Sequence, residues 1–142
     1  MVITDLVVRE KNENIKINGP QDFFPLLQEF YKDKMDKEYV SIVCLNSDHK
    51  VISVDLISIG TIDKSLFEPR EIYRKTLLHN AYSFVLVHNH PSGNTSPTDY
   101  DFTATKGIKD GSKLIGVKFI DSIIIGEYNY FSFVENDILE SL

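Results

Sequence analysis

Between residues 38 and 45 the chain carries an almost unbroken apolar run, Tyr39, Val40, Ile42, Val43, Cys44 and Leu45. Such a run is the pattern of a strand buried on both faces. Asn46-Ser47-Asp48-His49 has turn composition, and residues 51–59 read as the return strand of a hairpin. Upstream the period changes. Gly19-Pro20 opens a predicted helix on which Phe23, Phe24, Leu27, Phe30 and Tyr31 form one apolar face, with Pro25 near the first turn, where it is tolerated. The β-branched residues 2–8 predict a first strand, ended by the polar residues 9–16.

Downstream, Glu68-Pro69 starts a second helix with Ile72, Tyr73, Thr76 and Leu77 inward and His79-Asn80 near its end. Residues 83–90 form a short apolar strand that stops abruptly at Pro91-Ser92-Gly93. Residues 98–110 read as a helix with Gly111 at its C-terminal cap. Residues 117–125, a turn at Gly126 and residues 130–134 predict a closing hairpin. Helices alternate with strands while hairpins are mixed in, so the expectation is a single α/β domain with a mixed sheet flanked by helices.

Composition narrows the class. At 142 residues, 42% hydrophobic and 25% charged, the chain has the size and balance of one globular domain, which excludes a disordered tail, a collagen-like chain or a coiled-coil rod. Fifteen basic residues against 21 acidic ones give a net charge of -6. Lys32, Lys34 and Lys37 are interleaved with Asp33, Asp36 and Glu38, so no basic run is offered to phosphates, and composition argues against a nucleic-acid partner. Cys44 is the only cysteine, which excludes an intrachain disulfide and every cysteine-built zinc ribbon, finger or deaminase site. Residues 1–5 lack the basic start and apolar core of a signal peptide, and no apolar run approaches the ~20 residues that cross a bilayer. The expected location is cytoplasmic, with no membrane partner.

The chemistry gathers at His88-Asn89-His90, at the end of the third strong strand. Side chains repeat every two residues in a strand, so His88 and His90 face the same side as Phe84 and Leu86. Apolar support disfavours charged imidazoles, and neutral imidazole is what a metal binds. The competing reading is one core and one surface histidine. Asp101 follows His90 by eleven residues, in the first turn of the next helix, where strand end, tight turn and helix start bring it beside both imidazoles. Two His and one Asp leave a fourth tetrahedral position for water, the ligand count of a catalytic zinc site. Thr98-Asp99-Tyr100-Asp101 also reads as a variant capping box, and the two roles do not exclude each other.

His88-x-His90, seven residues, then Thr98-x-x-Asp101 resembles the JAMM (MPN+ or JAB1-type) metalloprotease motif. The stretches Arg70-Glu71-Ile72, His88-Asn89-His90-Pro91-Ser92-Gly93 and Asp121-Ser122-Ile123-Ile124-Ile125-Gly126 resemble the RadC branch of that superfamily. The resemblance implies one RadC-like JAB/MPN domain over residues 1–142, without the helix-hairpin-helix segment of longer members, and a JAB1/MPN-like (cytidine-deaminase-like) arrangement. It implies Zn2+ bound by His88, His90 and Asp101, and Glu38 as the general base that activates water. Thr98 stands where the family usually has Ser and keeps a hydroxyl for the developing oxyanion; Ser122 stands where RadC-like sequences commonly have His. Glu71 is a rival base, but the first turn of a helix favours a carboxylate for the dipole alone.

The implied activity is hydrolysis of an amide bond in a peptide or protein substrate, as a metallopeptidase or isopeptidase. The alternative is a non-hydrolytic metal-binding or interaction module on the same scaffold, linked to DNA repair by family name only. The complete ligand set with Glu38 favours the enzyme, while the spacing match to the family motif and Glu38 argue against a two-His-one-carboxylate iron site. No insertion of the kind that clamps ubiquitin in relatives is evident around the zinc motif. His49 and His79 read as structural or surface residues, and Cys44 as a small core residue. Tyr128, Tyr130, Phe131 and Phe133 suit core packing or a contact in a homo-oligomer, and periodicity does not separate the two.

Overall fold

The computed structural model describes residues 15–60 and 68–142. The strand expected over residues 2–8 lies outside them. Among the described residues the chain forms a 3-10 turn (Pro20–Asp22), α1 (Phe23–Tyr31), β1 (Glu38–Leu45), β2 (Val51–Gly60), α2 (Pro69–Leu78), β3 (Ser83–Asn89), α3 (Asp99–Ile115), β4 (Lys118–Ile125) and β5 (Tyr130–Ser132). The five strands make one sheet in the order β2-β1-β3-β4-β5. β3 and β4 are parallel, joined through α3, and every other neighbouring pair is antiparallel. The mixed sheet expected from the alternation of hairpins and helices is the one observed.

Strand alternation sorts the core onto two faces. Val43, Leu45, Val85 and Val87 pack with Phe23, Leu27 and Tyr31 of α1. Val40, Ile42, Cys44, Phe84 and Leu86 pack on the other face with Ile72 of α2 and Ile108 of α3. Cys44 is fully buried there, the small core residue expected. At the terminal hairpin the aromatics divide: Phe133 is buried with Ile124 and Leu139, Phe131 and Tyr130 are half-buried, and Tyr128 is exposed.

The last turns of the helices differ from the sequence expectation. α3 does not stop at residue 110 but runs to Ile115, and the cap is Gly116, whose φ of 84° is the left-handed conformation glycine tolerates and whose N–H donates to the Ser112 carbonyl at 3.0 Å. Gly111 lies inside the helix. A Cβ there would collide with the Tyr73 hydroxyl, which donates to the Ile108 carbonyl at 3.0 Å, so the glycine serves the close approach of α2 to α3. The first helix opens with the 3-10 turn rather than directly at Pro20, and β5 ends at Ser132 rather than at residue 134. Among the described residues no helix is long and apolar enough to cross a membrane.

Candidate metal centre

Two strands and one helix deliver the chemistry to one edge of the sheet. Val40 pairs with His88 across β1 and β3, so the opening residue of β1, Glu38, lies beside the end of β3. Glu38 shares the alternation of Val40 and Ile42, and His88 and His90 share that of Phe84 and Leu86, so all three side chains fall on the face covered by α2 and α3. Immediately after His90 the chain turns: the Gly93 N–H donates to the His90 carbonyl at 2.9 Å, with Gly93 at φ 85°. α3 then starts on the same face and brings in Asp101 from its first turn.

Asp101 sits between the imidazoles. Its Oδ1 is 3.0 Å from His88 Nε2 and its Oδ2 is 3.0 Å from His90 Nε2. The capping box read from the sequence is complete as well, since Thr98 Oγ1 accepts from the Asp101 N–H at 3.2 Å and Asp101 Oδ2 accepts from the Thr98 N–H at 2.9 Å. Capping and clustering therefore coexist in one side chain. Thr98 itself is exposed, with its hydroxyl engaged in the cap.

Glu38 is fully buried, and among the described residues neither carboxylate oxygen has a hydrogen-bond partner. Among the described residues, Glu38, His88 and His90 each bring a potential ligand atom within 4.8 Å of the others, a grouping that includes neither the rival Glu71 nor Asp101, which stands 3.0 Å from each imidazole. Glu71 instead pairs with Arg74 at 3.1 Å on the surface of α2. Glu38, being buried, is not a solvated charge, although it opens its strand close after a helix.

The electrostatics separate the two carboxylates. Burial pushes Glu38 up to about 7; nearby His90 opposes that shift and Asp101 reinforces it. Burial would raise Asp101 too, but the two imidazoles and the Thr98 N–H hold it well below the usual carboxylate range. His90 is raised, first by its bond to Asp101, against its own burial, and further by the Asn94 carbonyl.

The donor set fits a divalent metal. His90 Nδ1 donates to the Asn94 carbonyl at 2.7 Å, which leaves Nε2 to face Asp101. Lone pairs on Nε2 and a carboxylate oxygen at 3.0 Å repel unless a proton or a cation lies between them. His88 Nε2 is buried, stands 3.0 Å from Asp101 Oδ1 and has no hydrogen-bond partner among the described residues, so it is an orphaned potential ligand atom beside the same carboxylate. Two ligand atoms on a tetrahedral zinc stand about 3.3 Å apart at ordinary bond lengths, close to the 3.0 Å between Asp101 and each imidazole. The contribution of Asn94 was not legible in the sequence, because it comes from a backbone carbonyl that any residue carries.

The remaining sequence candidates lie elsewhere. Ser122 is buried and accepts from the Thr105 hydroxyl of α3 at 3.1 Å, a structural tie where the family pattern has His. His79 pairs with buried Asp55 at 3.1 Å, tying the end of α2 to β2, and His49 takes φ 64° in the β1–β2 turn. Neither belongs to the grouping of Glu38, His88 and His90 among the described residues.

A family model described as the RadC-like JAB domain matches residues 17–138. Among curated proteins, the chain is 38% identical over 130 residues to a UPF0758 protein of Clostridium tetani, covering 92% of this chain and 57% of that one. A UPF0758 protein of Chlorobaculum parvum is 36% identical over 129 residues, 91% of this chain and 58% of that protein. One of Alkaliphilus metalliredigens is 38% identical over 124 residues, 87% and 53% respectively. The chain thus spans a little over half the length of the curated relatives it matches.

Proposed function

The chain belongs to the RadC-like JAB domain family, and from that premise we propose that it is a zinc-dependent hydrolase of amide bonds, a peptidase or isopeptidase acting on a peptide or protein. His88, His90 and Asp101 hold the ion, and Glu38 is the general base. The observation that carries the reading is the Glu38 carboxylate: fully buried, without a hydrogen-bond partner among the described residues, and within 4.8 Å of potential ligand atoms of both histidines. A carboxylate buried without partners is costly to a fold, and sites that keep one generally use it.

When bound, zinc supplies a water of lowered pKa and a Lewis acid for the substrate carbonyl. The protein residues divide the rest. Asp101 stays ionised and, clamped by the α3 cap, fixes the distance between the two imidazoles. The Asn94 carbonyl keeps His90 in the tautomer whose Nε2 is free for the ion. Glu38, held near neutrality, accepts the proton of the attacking water at a carboxylate oxygen and returns it to the leaving amine nitrogen. Thr98, exposed beside Asp101, offers its O–H to the developing oxyanion while its oxygen serves the cap.

The test uses zinc-reconstituted protein and a fluorogenic peptide library. Wild type is expected to bind one zinc per chain and to cleave a subset of the library. Glu38→Gln keeps the zinc and loses cleavage, whereas His90→Ala loses both. Full turnover by Glu38→Gln would overturn the assignment of the base, and zinc binding without cleavage of peptide or isopeptide probes would favour the interaction module.

A further inference from the structure

The residue between the two histidines is not accounted for by metal binding. Asn89 is fully buried, and the alternation of β3 turns its side chain away from His88 and His90, toward the α1 face. There its amide meets the segment that joins α1 to β1. Asn89 Oδ1 accepts from the Tyr39 N–H at 2.8 Å, and Nδ2 donates to the Lys37 carbonyl at 2.8 Å and the Lys34 carbonyl at 3.2 Å. The Lys37 carbonyl belongs to the peptide group before Glu38, and the Tyr39 N–H to the one after it. A single side chain grips both peptide groups that flank Glu38.

We propose that Asn89 is a positioning residue for Glu38, holding the backbone of the proton acceptor in register with the histidine pair. The inference rests on the reading of Glu38 as the base. Among the described residues the Glu38 carboxylate has no hydrogen-bond partner to fix it, so its place depends on the backbone that carries it. The Tyr31 hydroxyl braces the same segment once, through the Tyr39 carbonyl at 2.9 Å, and does not reach the peptide group before Glu38. The histidines are anchored otherwise, by pairing of β3 with β1 and β4 and by the Asn94 carbonyl. Asn89 thus couples the strand that carries the metal ligands to the loop that carries the base. Only a planar amide offers an acceptor and two donors at that reach; alanine offers neither, and serine is too short to span both peptide groups.

The experiment compares wild type, Asn89→Ala and the milder Asn89→Ser, each alone and combined with Glu38→Gln, as zinc-reconstituted proteins on a peptide cleaved by wild type. Zinc stoichiometry and affinity are expected to stay at the wild-type level. kcat falls by about 100-fold in Asn89→Ala, and less in Asn89→Ser, with KM unchanged, the size of effect that a misplaced reacting group produces. Combined with Glu38→Gln, neither Asn89 substitution lowers the residual rate further, because the residue acts through Glu38. A merely structural role would lower zinc affinity and subtract again in the double variant. Crystal structures of the zinc-loaded variants supply a readout besides activity, with the Glu38 carboxylate displaced in Asn89→Ala or Asn89→Ser while His88, His90 and Asp101 stay in place. An unmoved Glu38 overturns the positioning role whether or not a substrate is found. Full activity in Glu38→Gln overturns instead the reading on which it rests.

Discussion

Removing the charge of Glu38 should stabilise the metal-free fold, and by an amount that depends on pH in a defined direction. Burial raises this carboxyl from 4.5 to about 7. That corresponds to about 3 kcal/mol between its protonated and ionised states. A group whose pKa is higher in the folded than in the unfolded chain favours folding fully below its unfolded value, and the contribution is lost as pH rises through the folded value. Glutamine at this position cannot titrate. The difference in unfolding free energy, Glu38→Gln minus wild type, therefore holds level below about pH 4.5 and climbs by about 3 kcal/mol toward pH 8. Urea denaturation of both proteins in chelator across pH 4–8 measures it, and any fixed offset from packing the amide cancels in the trend. Zinc narrows the gap at pH 8, since a nearby cation favours the carboxylate. Parallel pH curves for the two metal-free proteins would refute the reasoning, and so would a wild type that gains on the variant as pH rises.

Three further outcomes follow from individual contacts. Thr98→Ala removes the oxygen that accepts from the Asp101 N–H and costs about 1 kcal/mol in thermal or chemical denaturation, whereas Thr98→Ser keeps the cap and the stability. Within α3, Gly111→Ala meets the Tyr73 hydroxyl and destabilises by about 1–3 kcal/mol, while Gly107→Ala, with open space around it, stabilises by about 0.5–1 kcal/mol; the opposite signs are read from paired melting curves. Asp121 accepts from Ser132 Oγ and the Ser122 and Val134 N–H groups, yet burial pushes it up to about 6, so wild-type stability falls relative to Asp121→Asn between pH 4 and 6. Equal pH slopes for those two proteins would contradict this.

The parts of the fold that could be read from the sequence were those written in side-chain period. The continuous apolar run at residues 38–45 and the short run at 83–90 became the central strands β1 and β3, because burial on both faces leaves no polar alternation to hide them. The end of α3 was misplaced, since glycine marks a cap only when its φ is positive. Gly111 and Gly116 look alike until Tyr73 is seen against one of them and a φ of 84° at the other. At the site, His88, His90 and Asp101 were legible through spacing. Glu38 was legible only through its resemblance to a family motif, because a lone glutamate after a helix reads as solvated. The grip of Asn89 on Lys37 and Tyr39, and of the Asn94 carbonyl on His90, depends on contacts that no local pattern encodes.

What distinguishes the centre from a buried ion pair is the unequal treatment of its two carboxylates. Asp101 faces two imidazoles, accepts a backbone N–H and is fixed by a helix cap, so its charge is retained through the whole neutral range. Glu38 is buried as deeply, receives no hydrogen bond from the described residues and is pushed up to about 7 by its burial. Environments that push two neighbouring acids apart assign one to hold charge and the other to exchange protons. A purely structural metal site gains nothing from the second acid and would be more stable without its desolvated carboxylate. The fold nonetheless places that carboxylate within 4.8 Å of ring nitrogens of both histidines and braces the backbone on either side of it. A cost kept in place by specific contacts is what a trade of stability for chemistry predicts, and it favours the hydrolase over the interaction module.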